Sequence, residues 1–196
     1  MSIPIRPSRA SWVEGALVEL PAVLVDHAHC ERKAAQTALR FMARFGDQPH
    51  LLSQLSRLAR EELIHYERVL RELDARGIAF GPQSSGGYAA ALFKEATQPG
   101  DELLCSALIE ARSHERFVRL AEVVPDAGLR ALYEDLLEAE ARHGDFYLEL
   151  YRERCRGAEP GARLASRLAS RLEELAARED EIVHRPRQPL RMHSGG

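Results

Sequence analysis

The sequence predicts an all-α protein: a four-helix bundle built from two long helical hairpins, with an extra helix near the C-terminus. Three observations carry this. Apolar residues recur with helical periodicity along most of the chain, and no convincing period-two alternation marks a strand. Two tight breaks, Gly46-Asp47 and Pro125-Asp126-Ala127-Gly128, each divide a pair of long periodic stretches. A longer connection, IAFGPQSSGG at 78–87, separates the two pairs. Helices joined by a tight turn must run antiparallel as neighbours, which makes each pair a hairpin.

The elements follow in order. A short helix is expected over Ser11–Leu20. The first long helix starts near Pro21, a good first-turn residue, and stops at Gly46. Asp47 is the expected cap of the second, with Pro49 in its first turn and Gly77 at its end. A short helix around Tyr88–Ala96 precedes a break at Gln98-Pro99-Gly100. Asp101 is expected to cap the third long helix, which ends near Val124, and the fourth runs to about Arg156. After Gly157–Gly161 the extra helix reaches about Val183. The expectation is one domain over residues 1–196, with core helices over about 21–156, the additional helix over about 160–183, and a mobile tail at 184–196.

A chain of 196 residues suits one well-packed domain. Hydrophobic residues at 45% and charged residues at 29% exclude a disordered chain. No stretch approaches a membrane span, and the N-terminus lacks a signal-peptide core, so a cytoplasmic location and no membrane partner are expected. The three scattered cysteines, Cys30, Cys105 and Cys155, form neither a disulfide framework nor a CxxC knuckle, and are expected to be reduced thiols. The net charge of −3 hides an asymmetry: residues 151–196 hold ten Arg against seven acids. That basic end is a weak pointer to an anionic partner.

Chemistry is concentrated in the four long helices. The second contains Glu62-Leu63-Ile64-His65 and the fourth Glu140-Ala141-Arg142-His143. Residues three apart share a helix face, so each pair can chelate one metal ion. The motif alone is weak, and a third copy, Glu181 to His184, stands beside Pro186. Surroundings decide. Glu62 lies among Leu55, Leu58, Val69 and Leu73, and Glu140 among Tyr133, Leu136, Leu137 and Tyr147. The first helix sets Glu31 among Leu24, Ala28, Ala35 and Ala38, and the third sets Glu110 among Leu103, Ala107 and Phe117. An unpaired buried carboxylate costs several kcal/mol, so four such placements call for a cation.

Level supports the same conclusion. In an antiparallel hairpin, facing residues are equidistant from the turn. The midpoint of Glu31 and Glu62 falls in the Gly46-Asp47 turn, and that of Glu110 and Glu140 falls at Pro125. One Glu from each of two helices and Glu-x-x-His from each of the others is the ligand plan of a carboxylate-bridged di-iron site in a ferritin-like bundle. Oxygen ligands with two imidazoles suit iron or manganese better than structural zinc.

Neighbouring groups take the blander role. Glu115 mirrors to a position off the level of the motif, so Glu110 is preferred. His27 and His114 are expected to be satisfied histidines beside the ligands rather than ligands themselves. Tyr66 and Tyr147 are core candidates. Arg163, Arg167 and Arg171 form an i, i+4, i+8 stripe, ordinarily a solvated face, and the candidate for nucleic-acid contact if there is one.

The segments DHAHCERKAA (26–35), EELIHYERV (61–69), LIEARSHERF (108–117) and EAEARHGDFY (138–147) resemble the MiaE family, tRNA hydroxylases acting on methylthio-isopentenyladenosine beside the anticodon. The resemblance runs from about Trp12 into the last helix. It implies an O₂-dependent non-haem di-iron monooxygenase that converts the isopentenyl group to its ribozeatin form. It carries over Glu31, Glu62, His65, Glu110, Glu140 and His143 as ligands of two iron ions. It also implies tRNA as partner, an external reductase or ferredoxin as electron donor, and a monomer or small homo-oligomer. The alternatives are a di-iron quinone hydroxylase, or a ferritin-like iron-binding or peroxidase protein.

Overall fold

The computed structural model describes residues 3–46, 48–84, 86–156, 160–185 and 189–194. Seven helices account for most of them: α1 (Ala10–Val18), α2 (Leu20–Arg44), α3 (Pro49–Ala75), α4 (Tyr88–Lys94), α5 (Asp101–Val123), α6 (Ala127–Cys155) and α7 (Gly161–Val183). Among the described residues no helix is long and apolar enough to cross a membrane. The all-α class and the extra C-terminal helix agree with the sequence reading. The chain divides into two compact units, Ala16–Ser85 and Met1–Gly15 with Gly86–Gly196.

The smaller unit is the α2–α3 hairpin. Pro21 and Pro49 stand in the first turns of their helices, where a missing N–H costs nothing. Asp47, the expected cap of α3, lies outside the described residues, and Gln48 occupies the N-cap position. At the far end Gly77 has φ +63°, and Ile78 N–H donates to Leu73 O at 2.9 Å while Gly77 N–H donates to Asp74 O at 2.9 Å. This is the glycine-terminated Schellman closure that the sequence places there. The loop beyond it returns to α2: Gln83 Nε2 donates to Ala22 O at 3.0 Å, and His29 Nε2 lies 2.9 Å from Gly81 O.

The larger unit is built on the α5–α6 hairpin, with α4 and α7 packed against α5. Asp126 caps α6 by accepting from Leu129 N–H at 2.9 Å. Asp101 departs from expectation. It is the first residue of α5, preceded by Gly100 at φ +92°, and its carboxylate faces backwards to accept from Thr97 N–H and Gln98 N–H. The same carboxylate receives Arg171 Nη2 of α7 at 2.7 Å. A side chain at Gly100 would also meet the Tyr151 ring at 2.8 Å, so glycine is required there twice over.

The described stretches 3–8 and 189–194 both close on α5. Ser8 and Arg6 of the N-terminal segment bind Glu115 and Arg112. Residues 184–196 are the expected mobile tail, yet the described stretch 189–194 is anchored: Met192 and Ser194 are fully buried. Arg116 Nη1 donates to Met192 O, Trp12 Nε1 donates to Arg191 O at 3.0 Å, and His193 lies 3.0 Å from Ser113 Oγ. Backbone groups that would otherwise hydrate are met by buried side chains. Under them lies a charge network invisible in hydropathy. Fully buried Arg112 forks onto fully buried Glu179 with two 2.8 Å bonds, and Tyr88 donates to the same carboxylate at 2.8 Å.

Candidate metal centre

The α2–α3 unit holds the first triad. Glu31, Glu62 and His65 are 4%, 1% and 7% exposed, which is rare for carboxylates without a compensating charge. His65 Nδ1 lies 3.5 Å from Glu31 Oε2 across the hairpin and 3.6 Å from Glu62 Oε2 one turn away. The equal distance of Glu31 and Glu62 from the turn produces this meeting. Burial works against a charged His65, but its bonds to Glu31 and then Glu62 prevail and raise it to about 10. Glu31 is likewise raised by burial, yet His27 and His65 hold it well below the ordinary carboxylate range. His27 is fully buried with Nε2 2.7 Å from Glu31 Oε1, the geometry of a group that orients the carboxylate.

The α5–α6 unit holds the second triad. Glu110, Glu140 and His143 are 4%, 2% and 3% exposed. Gly144 lies in the α5–α6 contact at this level, where a Cβ would make ordinary van der Waals contact with Glu110 Cβ at 3.7 Å and Ala107 O at 3.6 Å. Glu115 is occupied elsewhere. Its two carboxylate oxygens accept from Ser8 N–H at 2.9 Å and Ser8 Oγ at 2.7 Å, and Arg112 and Arg119 flank it. His114 is half-buried.

Each unit therefore buries one Glu from one helix and Glu-x-x-His from the other. Two carboxylates and one imidazole in each triad are a donor set for a hard divalent cation. The remaining Glu-x-x-His is spent locally: His184 Nδ1 lies 2.9 Å from Asp180 O, and Glu181 pairs with Arg178. The arginine stripe on α7 is also divided. Arg163 and Arg167 are exposed, whereas Arg171 is 7% exposed and bonds Asp101, Glu174 and Glu95 O. Arg171 is a structural clamp and not part of a solvated stripe.

One feature escapes the sequence reading. In the larger unit a cavity of about 630 Å³ opens beside Glu140, lined among others by Ile3, Ile5, Ala111, His114, Val118 and Gly144. The apolar-proline alternation IPIRP at 3–7 is its only sequence signal.

Comparison with known proteins agrees with the geometry. Residues 3–194 match the family model described as tRNA-(MS[2]IO[6]A)-hydroxylase (MiaE). The chain is 40% identical over 194 residues to the tRNA 2-(methylsulfanyl)-N(6)-isopentenyladenosine(37) hydroxylase of Pseudomonas putida, covering 96% of this chain and 90% of that protein. It is 28% identical over 250 residues to the Salmonella typhimurium hydroxylase of the same name, covering 96% and 86%. A solved structure from Synechococcus, described as protein 43 with aldehyde deformylating oxygenase activity, is 42% identical, covering 100% of this chain and 98% of that one with a TM-score of 0.87. The ferritin-like fold class read from the sequence holds, and with a family match over nearly its whole length the chain belongs to the MiaE family of tRNA hydroxylases.

Proposed function

We propose that this protein hydroxylates the isopentenyl group of 2-methylthio-N6-isopentenyladenosine in tRNA, using O₂ and two iron ions held by Glu31, Glu62, His65, Glu110, Glu140 and His143. The observation that carries the reading is the duplicate triad, two Glu and one His buried in each hairpin. It requires the two triads to act as one dinuclear centre, the single-domain arrangement expected from the hairpin spacings. Electrons come from an external donor, and the site of action is the cytoplasm.

The allylic methyl C–H bond of the substrate resists acid–base chemistry, and the irons supply the oxidising power with O₂ when bound. The protein's residues do the rest. Glu31, Glu62, Glu110 and Glu140 offer anionic oxygens in a buried setting where their pull on a cation is strong. His27 sets the orientation of Glu31. Leu55, Leu58, Ala107 and Phe117, all buried, keep bulk water from the ligand level. An anticodon loop can splay its bases outward and present a modified adenine to such a protein.

The test supplies ¹⁸O₂, a reductant and prenylated tRNA to the ferrous protein and weighs the released nucleoside. One heavy oxygen in the prenyl group supports the proposal. Product made under nitrogen, or carrying only solvent oxygen, removes it. An aldehyde serves as rival substrate, chosen because of the activity described for the Synechococcus protein.

A further inference from the structure

The cavity beside Glu140 has a wall that no helix provides. Ile3 and Ile5 of the N-terminal segment stand in its lining with Ala111, Val118 and Gly144. Its volume of about 630 Å³ falls in the ~300–1,000 Å³ range of small-molecule sites. Ile3 is seated by an absence. A Cβ on Gly144 would stand 3.0 Å from Ile3 Cδ1, tight enough that Ile3 would have to give by a few tenths of an ångström, so the glycine one position after His143 leaves Ile3 room where it sits.

The segment is fastened rather than loosely draped. Ser8 N–H and Oγ bind the two oxygens of Glu115, at 2.9 and 2.7 Å. Arg112 Nη1 donates to Arg6 O at 2.8 Å and to Glu115 Oε2 at 3.0 Å. Pro4 and Pro7 restrict the backbone between these ties. Two apolar side chains are thus held across a cavity that contains a carboxylate of the candidate metal centre.

We infer that residues 3–8 form a substrate-selecting strap, in which Ile3 and Ile5 cover the isopentenyl tail and the Ser8–Glu115–Arg112 clamp fixes their position. The inference rests on the proposed function. The branched five-carbon tail is the apolar part of the substrate, and it must reach the metal level. An aliphatic wall rewards the tail with buried area and leaves an unmodified adenine with none to bury.

The probe is an anticodon stem-loop carrying either isopentenyladenosine or plain adenosine, titrated into the iron-loaded protein. The wild type should bind the prenylated loop roughly tenfold tighter, about 1.4 kcal/mol. The double variant I3A/I5A should bring that ratio to within about twofold, with iron content and affinity for the plain loop unchanged. Glu115→Gln, which leaves Ile3 and Ile5 intact but weakens the tie to Ser8, should lower the ratio, and it serves if I3A/I5A does not fold. A ratio that stays near tenfold in both variants, or a wild type without preference, overturns the inference. So does a parallel fall in affinity for both loops, which would make the strap a general RNA contact. A wild type that prefers the prenylated loop but fails to hydroxylate it leaves the strap standing and removes the proposed function instead.

Discussion

The two units carry the same triad in different settings. Around Glu31, Glu62 and His65 the polar support comes from within the hairpin, chiefly His27 one turn from Glu31. Around Glu110, Glu140 and His143 the hairpin is braced from outside. Residues 3–8 and 189–194, α4 and α7 converge on α5 through Arg112, Arg116, Glu115 and Glu179. The first triad needs two helices and a turn. The second needs contacts between residues more than a hundred positions apart, such as Ser8 and Glu115. One motif can therefore sit in a locally determined frame or in one that exists only when the unit is complete.

Removing a ligand gives the largest effect, and the duplicate plan predicts that it is equal in the two units. Glu62→Ala and Glu140→Ala should each abolish hydroxylation and lower bound iron below two per chain while leaving tRNA affinity nearly intact. Metal analysis and turnover measure this. Ferrous iron should also raise the melting temperature of the wild type by mass action and do so less in either variant. Loss in one unit only would show that the triads are not equivalent. Mössbauer or magnetic measurements separate a coupled pair of irons from two isolated ions.

Arg112→Ala should break the asymmetry. It leaves fully buried Glu179 without its cation and releases the strap, so a loss of about 3–5 kcal/mol is expected in denaturant unfolding. Among the described residues of the α2–α3 hairpin no arginine is buried, and its hydrogen-exchange protection should change less than that of α5 and α7. Uniform loss of protection along the chain would refute the division.

His27→Ala is the corresponding change in the smaller unit. By removing an orienting bond from Glu31 it should weaken iron binding about 10–100-fold with a smaller effect on stability. Unchanged affinity would reduce His27 to a packing residue.

The smallest effect is one of pH. Burial raises the Glu115 carboxyl, but the Ser8 hydroxyl and N–H, then Arg112 and Arg119, outweigh it and hold it below the ordinary 4.5. A depressed folded value means that the clamp contributes above about 4.5 and weakens as pH falls below it. Exchange at residues 3–8 should quicken on acidification in the wild type, and Glu115→Gln should flatten the response. Equal acid sensitivity in the variant would assign the loosening to another group.

Much of this was legible beforehand, for physical reasons. Helix periodicity, Pro21 and Pro49 at helix starts and Gly77 at a helix end are local signals, and α2, α3, α5 and α6 follow them. Equidistance from a turn is a property of sequence numbers, so the level of Glu31 with Glu62 and of Glu110 with Glu140 could be read before any coordinate. Motif resemblance along the helices was sufficient for the family. What only the tertiary structure decided are the long-range polar ties. Asp101, expected as a cap, is instead the first helical residue and holds Arg171, an arginine with the spacing of a solvated stripe is buried, and the 189–194 stretch of the tail ends against Arg116 and Trp12. Hydropathy scores Arg112 and Glu179 as surface residues, because the free energy of burying a charge depends on a partner that the linear chain does not specify. The strap over Glu140 is of the same kind: IPIRP acquires a role only when Glu115, far along the chain, supplies the carboxylate that holds Ser8.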